Sequence, residues 1–414
     1  MESVPLGVQE RRKTGAHHAL LAGFLGWTLD AFNFFVLVFL YDTLAREFHV
    51  SKAAIVFTTT ATLALRPVGA LLFGVLADRY GRRIPLMGNV IYFSAIQLLC
   101  GFAPSYMVFL ILRVLFGIGM GGEWGVGASL AMEAAPPRWR GILSGILQSG
   151  YPIGYLLAAI GARFVLPTLG WRWMFWLGAL PALLALYIRT KVPESEAWKQ
   201  HRVATTGQLL RVVAQNWKRF VYLAVLMTFM MFLSHGTQDL YPDFLREVHR
   251  FSAAGIANIA MVYNVAAVVG SMIFGALSQR VGRRKGMMVA LGLCLVVVPL
   301  WAFGAGLATV VVTSVILQIG VQGAWGIIPV HLNELAADAI RGLMPGLAYQ
   351  LGILFASPTN SIQYALRERF GYSWALAGFE VVTILSLAVL LWRGAEEHGR
   401  SFVQEAPAAQ AGSL

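Results

Sequence analysis

Gly74-Val75-Leu76-Ala77-Asp78-Arg79-Tyr80-Gly81-Arg82-Arg83 returns 201 residues later as Gly275-Ala276-Leu277-Ser278-Gln279-Arg280-Val281-Gly282-Arg283-Arg284. The same interval carries Gly119 to Gly320, Gly122 to Gly323 and Trp124 to Trp325. It also carries Glu133 to Glu334, Arg140 to Arg341 and Gly141 to Gly342. Agreement at one offset over so many residues of unusual chemistry is not chance, and self-similarity at a fixed period marks a repeated architecture. Each half is one structural unit, and the chain is two copies in tandem.

The 414 residues are 57% hydrophobic and only 13% charged, with a mean hydropathy of +0.66. Repeated apolar runs of about 20 residues imply membrane-spanning helices and exclude a soluble domain. Twelve spans are expected, at about 18–41, 53–77, 85–103, 106–130, 142–166, 170–189, 220–242, 253–277, 286–306, 308–331, 342–366 and 372–393. An even number places both ends on one side. Of the 32 Lys and Arg residues, 22 fall on the side of the termini, 8 on the other, and Arg66 and Arg113 lie within spans. The positive-inside rule makes the termini cytoplasmic.

The expected organisation is an all-α membrane protein of twelve transmembrane helices in two pseudo-symmetric six-helix bundles. A cytoplasmic tail covers 1–17, the first bundle 18–189, a cytoplasmic linker 190–219, the second bundle 220–393 and a tail 394–414. The net charge of +12 belongs to the short loops and calls for no nucleic acid. Cys100 and Cys294 stand singly in apolar runs, so no disulfide framework is implied. The first apolar run is too long for a cleavable signal peptide. Parallel six-span repeats with a site near the midplane are the plan of a rocker-switch carrier.

Ser234-His235-Gly236-Thr237-Gln238-Asp239 sits inside an apolar run. Titratable side chains at membrane depth face a cavity and mark an ion or substrate path. His235 and Asp239 are four apart and share a helical face, as do Ser234 and Gln238 one residue round. This makes His235–Asp239 the leading proton site, with Asp30 and Glu123 as rival carriers. The alternative is a polar face that only joins two helices.

Arg66 is about a dozen residues before the cytoplasmic end of its helix, hence near mid-membrane at ~1.5 Å per residue. A permanent buried cation requires an anionic partner, and in a cavity open to substrate a carboxylate is the natural one. The other reading is an internal pair with Asp30, Glu123 or Asp239. Asn33, Gln148, Tyr151, Tyr155, His235, Gln238, Tyr349 and Gln350 are candidates to complete a carboxylate and hydroxyl site. A monovalent anion travelling with one proton carries no net charge. It so escapes the cost of moving a charge through the membrane potential, about 2.3 kcal/mol per 100 mV.

The Gly74–Arg83 loop motif resembles the signature of the major facilitator superfamily, and Glu133-x6-Arg140 and Glu334-x6-Arg341 resemble its cytoplasmic salt-bridge motif. Pro193-Glu194-Ser195 resembles the element after the sixth span of sugar porters. Gly26-Trp27-Thr28-Leu29-Asp30-Ala31-Phe32, Arg66-Pro67-Val68-Gly69-Ala70 and Gly119-Met120-Gly121-Gly122-Glu123-Trp124-Gly125 narrow the match. Together with the Ser234–Asp239 run, they are similar to the sialate and monocarboxylate proton symporters, which include lactate permeases. Met231, Asp243 and Asn33 depart from that pattern. The linker has no extra apolar run of the kind found in sialate relatives, which favours a smaller carboxylate.

The resemblance implies proton-coupled symport of a small organic anion, such as lactate or pyruvate, through the cell membrane. Sialic acid or another acidic metabolite, or uncoupled passage of a sugar or polyol, are the alternatives. Asp78, Arg82, Glu133, Arg140, Arg283, Glu334 and Arg341 are expected to form the cytoplasmic gates, with Glu133 and Glu334 bridging the four arginines as exposed pairs that contribute little singly. Gln279 in place of Asp78 makes the two copies unequal. The sequence holds no catalytic constellation, Walker loop or metal spacing, so no enzyme activity, cofactor or metal is expected. The expected partners are the carboxylate, the proton and the lipid bilayer, with the chain acting as a monomer.

Overall fold

The computed structural model describes residues 6–202 and 205–403. The outermost parts of the expected tails, at 1–5 and 404–414, and two linker positions at 203–204 lie outside the described residues. In the first half, α1 is Leu6–Phe39, α2 Lys52–Tyr80, α3 Arg83–Cys100, α4 Tyr106–Ala134, α5 Pro137–Phe164 and α6 Trp171–Lys191. In the second, α7 is Trp217–Glu247, α8 Ala253–Val281, α9 Arg283–Phe303 and α10 Leu307–Leu335. Then α11 is Met344–Ala356 continued by Thr359–Phe370, and α12 is Tyr372–Arg393. The fold is the expected pair of six-helix bundles.

Eleven of these helices are long and apolar enough to cross a bilayer. The other, α11, is divided at Ser357-Pro358, where the proline removes a donor from the helix ladder. The helix α1 starts at Leu6, well before the expected 18, so described residues of the anticipated tail continue it. The linker carries short helices at Glu196–His201 and Thr206–Gln215. Large apolar side chains such as Val296, Leu300, Val382 and Trp392 are exposed on the outer surface, as expected of helices solvated by lipid tails.

The repeat recurs in local geometry. Ser51 and Ser252 each cap the helix that follows, accepting from Ala54 N at 3.2 Å and Gly255 N at 3.1 Å. His49 and Arg250, just before these caps, both adopt positive φ, at 53° and 59°. Short 3-10 turns open α5, at Pro137–Trp139, and precede α11, at Asp338–Ile340. Each pair is separated by the same 201 residues.

Small residues set the helix spacing inside each bundle. A Cβ on Gly121 of α4 would collide with the Arg66 backbone of α2. The glycine thus draws the guanidinium-bearing helix against α4. Between bundles, the closest approach lies toward the side of the termini. A Cβ on Gly125 would stand 2.6 Å from the Gly346 Cα. Ser144 of α5 donates to the Gly326 carbonyl at 2.7 Å and accepts from Val330 N at 3.1 Å, both on α10. Ser271 of α8 donates to the Gly145 carbonyl at 3.2 Å. The seam is closed on that side.

Candidate functional site

The closed end of the seam is built from the repeated loops. Arg82 forms a two-pronged bond to Glu133, at 3.3 Å from Nε and 3.1 Å from Nη2, and pairs with Asp78. Glu133 reaches across the seam to Arg341 Nη1 at 3.3 Å. Asp78 crosses as well, accepting from Gly342 N at 2.8 Å and Leu343 N at 3.0 Å, at the start of α11. A carboxylate is well placed against those free N–H groups and the positive end of the helix dipole. Burial of the Arg82 guanidinium disfavours its charge, but Glu133 and Asp78 outweigh this and hold its pKa above the usual arginine value.

The second copy repeats the plan with neutral chemistry at one point. Arg283 clasps Glu334 through Nε and Nη2, both at 2.9 Å. Gln279 accepts from Gly141 N at 3.0 Å and donates to the Pro137 carbonyl at 3.0 Å, across the seam. Two expectations are corrected. Asp78, Arg82, Arg283, Glu334 and Arg341 are wholly buried and Glu133 nearly so, whereas exposed pairs were expected. Arg140 does not share a salt bridge with either glutamate; its Nε donates to the carbonyls of Met132 and Ala135 at 3.1 and 3.2 Å.

Arg66 sits at the middle of α2, 14 residues from either end, and is 4% exposed. Its Nε and Nη2 are buried without a hydrogen-bond acceptor. Asp30 and Glu123 are also buried, with no donor to any of their carboxylate oxygens. The three charges lie within electrostatic reach of one another, yet none of the expected internal salt bridges to Arg66 is formed among the described residues. Buried charged groups ordinarily find partners, so this cluster is short of them.

Aromatic rings from both bundles enclose that cluster. Trp124 stacks on Tyr349 across the seam with centroids 4.3 Å apart. Trp27 stacks on Tyr151 at 5.4 Å, and Trp325 meets Tyr349 edge-on at 5.9 Å. The Tyr151 hydroxyl is within electrostatic reach of Arg66, Asp30 and Asp239, and Tyr349 of Arg66 and Asp30. Asp30, Arg66, Glu123, Tyr151 and Tyr349 thus lie in one region of the seam. Gln148 is buried with a free Oε1. Gln350 donates to the Gly121 carbonyl at 3.3 Å and leaves its own Oε1 free.

His235 and Asp239 do pair, with Nδ1 3.1 Å from Oδ2 and 3.3 Å from Oδ1. They lie at the end of the first segment of α7, which stops at Gln238 and resumes at Tyr241. His235 is 18 residues beyond Trp217, about 27 Å at ~1.5 Å per residue, past mid-membrane. Their side chains are 41% and 32% exposed, so the pair is open rather than sealed in an apolar run.

Other candidates are engaged inside one bundle. Asn33 donates to the Gly178 carbonyl at 3.0 Å where α6 is interrupted. Gln238 donates to Gln318 at 3.1 Å, which in turn donates to Thr237 at 3.2 Å. Arg113 holds Gln97 at 3.1 Å and lies 4.3 Å from the Phe116 ring centroid.

Sequence reasoning undervalued three groups. Trp27 and Trp325 were visible only as motif and repeat residues, and their place in an aromatic wall depends on the seam. Glu380, in the last span, is not among the site residues expected from the sequence. It is wholly buried against Gly236 of α7, with neither oxygen hydrogen-bonded. Its signal was the carboxylate itself, unexplained in an otherwise apolar helix.

Two repeated helical bundles enclosing an under-partnered guanidinium and closed at one end by mirrored gates make a membrane transporter, not an enzyme. The chain belongs to the Major Facilitator Superfamily, whose model matches residues 23–256 and 237–413. It is 31% identical over 376 residues to the carboxylic acid transporter protein homolog of Saccharomyces cerevisiae. That match covers 84% of this chain, and this chain spans only 61% of the yeast protein's length. It is 30% identical over 340 residues to the probable 4-methylmuconolactone transporter of Cupriavidus pinatubonensis, covering 80% of this chain and 79% of that one. Among solved structures, the proton:xylose symporter XylE superposes with a TM-score of 0.77 at 18% identity, over 94% of this chain and 98% of that one. The latter likeness concerns the fold.

Proposed function

We propose that this transporter carries a small organic anion together with a proton through the cell membrane by alternating access, with both termini in the cytoplasm and the single chain as the working unit. The observation that supports this reading best is Arg66. Its Nε and Nη2 are buried, unpaired and central, where a bidentate carboxylate would satisfy them. Asp239 with His235, and Asp30 with Glu123, are the candidate proton carriers, because a proton on either set removes a negative charge that repels the substrate beside Arg66. The pairs would titrate jointly, so no single pKa would belong to one residue. The gate residues would hold the cytoplasmic side shut while the site loads from outside.

The substrate is proposed to be a monocarboxylate such as lactate or pyruvate. A second reading, a planar unsaturated or aromatic acid, is favoured by the Trp124–Tyr349 and Trp27–Tyr151 stacks, since flat rings suit a flat ligand. A thermal-shift series on the purified protein separates the two, using lactate, pyruvate, sialate, benzoate and nicotinate. A ligand at 100 times its Kd adds about 2.7 kcal/mol to stability. Stabilisation by a neutral sugar and by none of the acids would overturn the anion reading.

A further inference from the structure

The ring of Phe402 is buried between two guanidinium groups, with Arg140 3.7 Å and Arg341 3.9 Å from its centroid. These arginines are the two copies of one repeat position, one from each bundle. The ring therefore sits where the pseudo-twofold axis passes through the closed end of the seam. A phenyl face attracts a cation on either side, and here it also screens two like charges from each other.

The chain leading to Phe402 is held on both sides. Glu396 accepts from Arg283 N at 3.1 Å and Arg284 N at 2.9 Å, capping α9. Gly399 N donates to Glu334 Oε1 at 3.2 Å. Arg400 pairs with Asp338 at 2.7 Å and donates to the carbonyls of Glu334 and Ala336 at 3.2 and 3.3 Å. Its own carbonyl accepts from Arg140 Nη1 of the other bundle at 2.5 Å. Glu194 in the linker caps α3 as Glu396 caps α9, through Arg82 N at 2.8 Å and Arg83 N at 3.3 Å. The linker crosses the seam through His201, whose Nε2 lies 3.8 Å from Asp338 Oδ2, whereas the C-terminal segment crosses with the Phe402 ring between two guanidinium groups.

We propose that residues 394–403 form a latch across the termini side of the seam, with Phe402 as its key, and that the latch must leave before that side opens. Separating the bundles pulls Arg140 and Arg341 apart, and one ring cannot follow both. The segment thus stabilises the conformation seen here and sets a threshold on each transport cycle. The proposal rests on alternating access, but not on any particular substrate.

The test uses the full chain in nanodiscs with a reporter, Leu343→Cys, whose side chain is buried against Gly74 at the seam. The parent protein gives the background, since Cys100 and Cys294 are buried. Maleimide labelling of the reporter is timed in Phe402→Ala, Phe402→Leu and Phe402→Trp. Ala and Leu are expected to speed labelling about tenfold and Trp to restore the slow rate, because Leu keeps apolar volume but has no ring face. Reporter rates unchanged in Phe402→Leu would overturn the latch, even if Phe402→Ala does not fold. Glu133→Gln serves as a separate check on opening. If it labels fast while the Phe402 variants do not, only the latch fails; if nothing labels, the alternating-access reading fails with it.

Discussion

The interior of the N-terminal bundle holds Asp30, Arg66, Arg113 and Glu123, whereas the C-terminal bundle, 201 residues on, has Met231, Ala267, Ser314 and Ala324. Conversely, His235, Asp239 and Glu380 face Phe34, Val38 and Ala179 in the first copy. At the gates the copies agree: Arg82–Glu133 matches Arg283–Glu334, and Asp78 and Gln279 both reach across to the other bundle. The difference has a physical reason. On the proposed alternating access, two bundles rocking against each other would need like bearings, which accounts for the symmetry kept at the seam. Under the proposed function, a small anion and a proton have no twofold symmetry, and a site that bound them would be free to lose it.

The sharpest way to break this division is to remove the proposed proton site from one copy. Asp239→Asn fixes a neutral side chain at α7. Uphill uptake driven by a pH gradient in proteoliposomes should vanish, while counterflow of labelled substrate survives; His235→Ala should impair uptake in the same assay. If Asp239→Asn still accumulates substrate, the proton travels with Asp30 or Glu123, and both halves of the binding chemistry lie in the first bundle.

Arg66→Ala should follow, since losing one partner of a buried charge pair costs about 2–5 kcal/mol, or about 30- to several-thousand-fold in affinity. Arg66→Lys keeps the charge but not the two-pronged geometry, and should rescue little. The repeat-related Ala267→Ser should leave affinity near wild type. Calorimetry on the three proteins decides, and an Arg66→Ala affinity within about threefold of wild type, well below that range, would sink the anchor role.

The gates should respond less unequally than the site. Removing one partner of a buried ion pair leaves the other uncompensated, and Glu133 holds Arg82 and Arg341 in different bundles while Glu334 holds Arg283 in its own. Glu133→Gln should therefore increase labelling of seam cysteines more than Glu334→Gln does. Equal effects would mean that the cross-seam bond contributes nothing.

The smallest effects should also be the most symmetric. Ser51→Ala and Ser252→Ala each remove one N-cap, with a cost of about 1 kcal/mol. Their melting temperatures should fall by similar amounts, and a large disparity would show that the equivalent caps bear different loads.

The repeat, the two-bundle plan and the recurrence of the loop residues were legible in the sequence because each depends on local composition or on identity at a fixed offset. Arg66 stood out because a permanent charge in an apolar run has few explanations. The break in α11 was less legible: Pro358 was visible, but an apolar run counts residues and does not show where the helix ladder ends. The burial of the gates was not legible either, since loop arginines and acids read as exposed until two bundles close over them.

By itself, then, the sequence determined the class of fold, the number of copies and which titratable residues fall within apolar runs, all consequences of hydropathy and periodicity along one dimension. Only the tertiary structure decided which of them meet. It set Asp30, Arg66 and Glu123 together without salt bridges, joined Trp27, Trp124, Tyr151, Trp325 and Tyr349 in ring contacts across the seam, and tied Asn33 to Gly178. It also seated Phe402 between Arg140 and Arg341. Those meetings depend on helix rotation and on the approach of two bundles, fixed by packing among residues far apart in the chain.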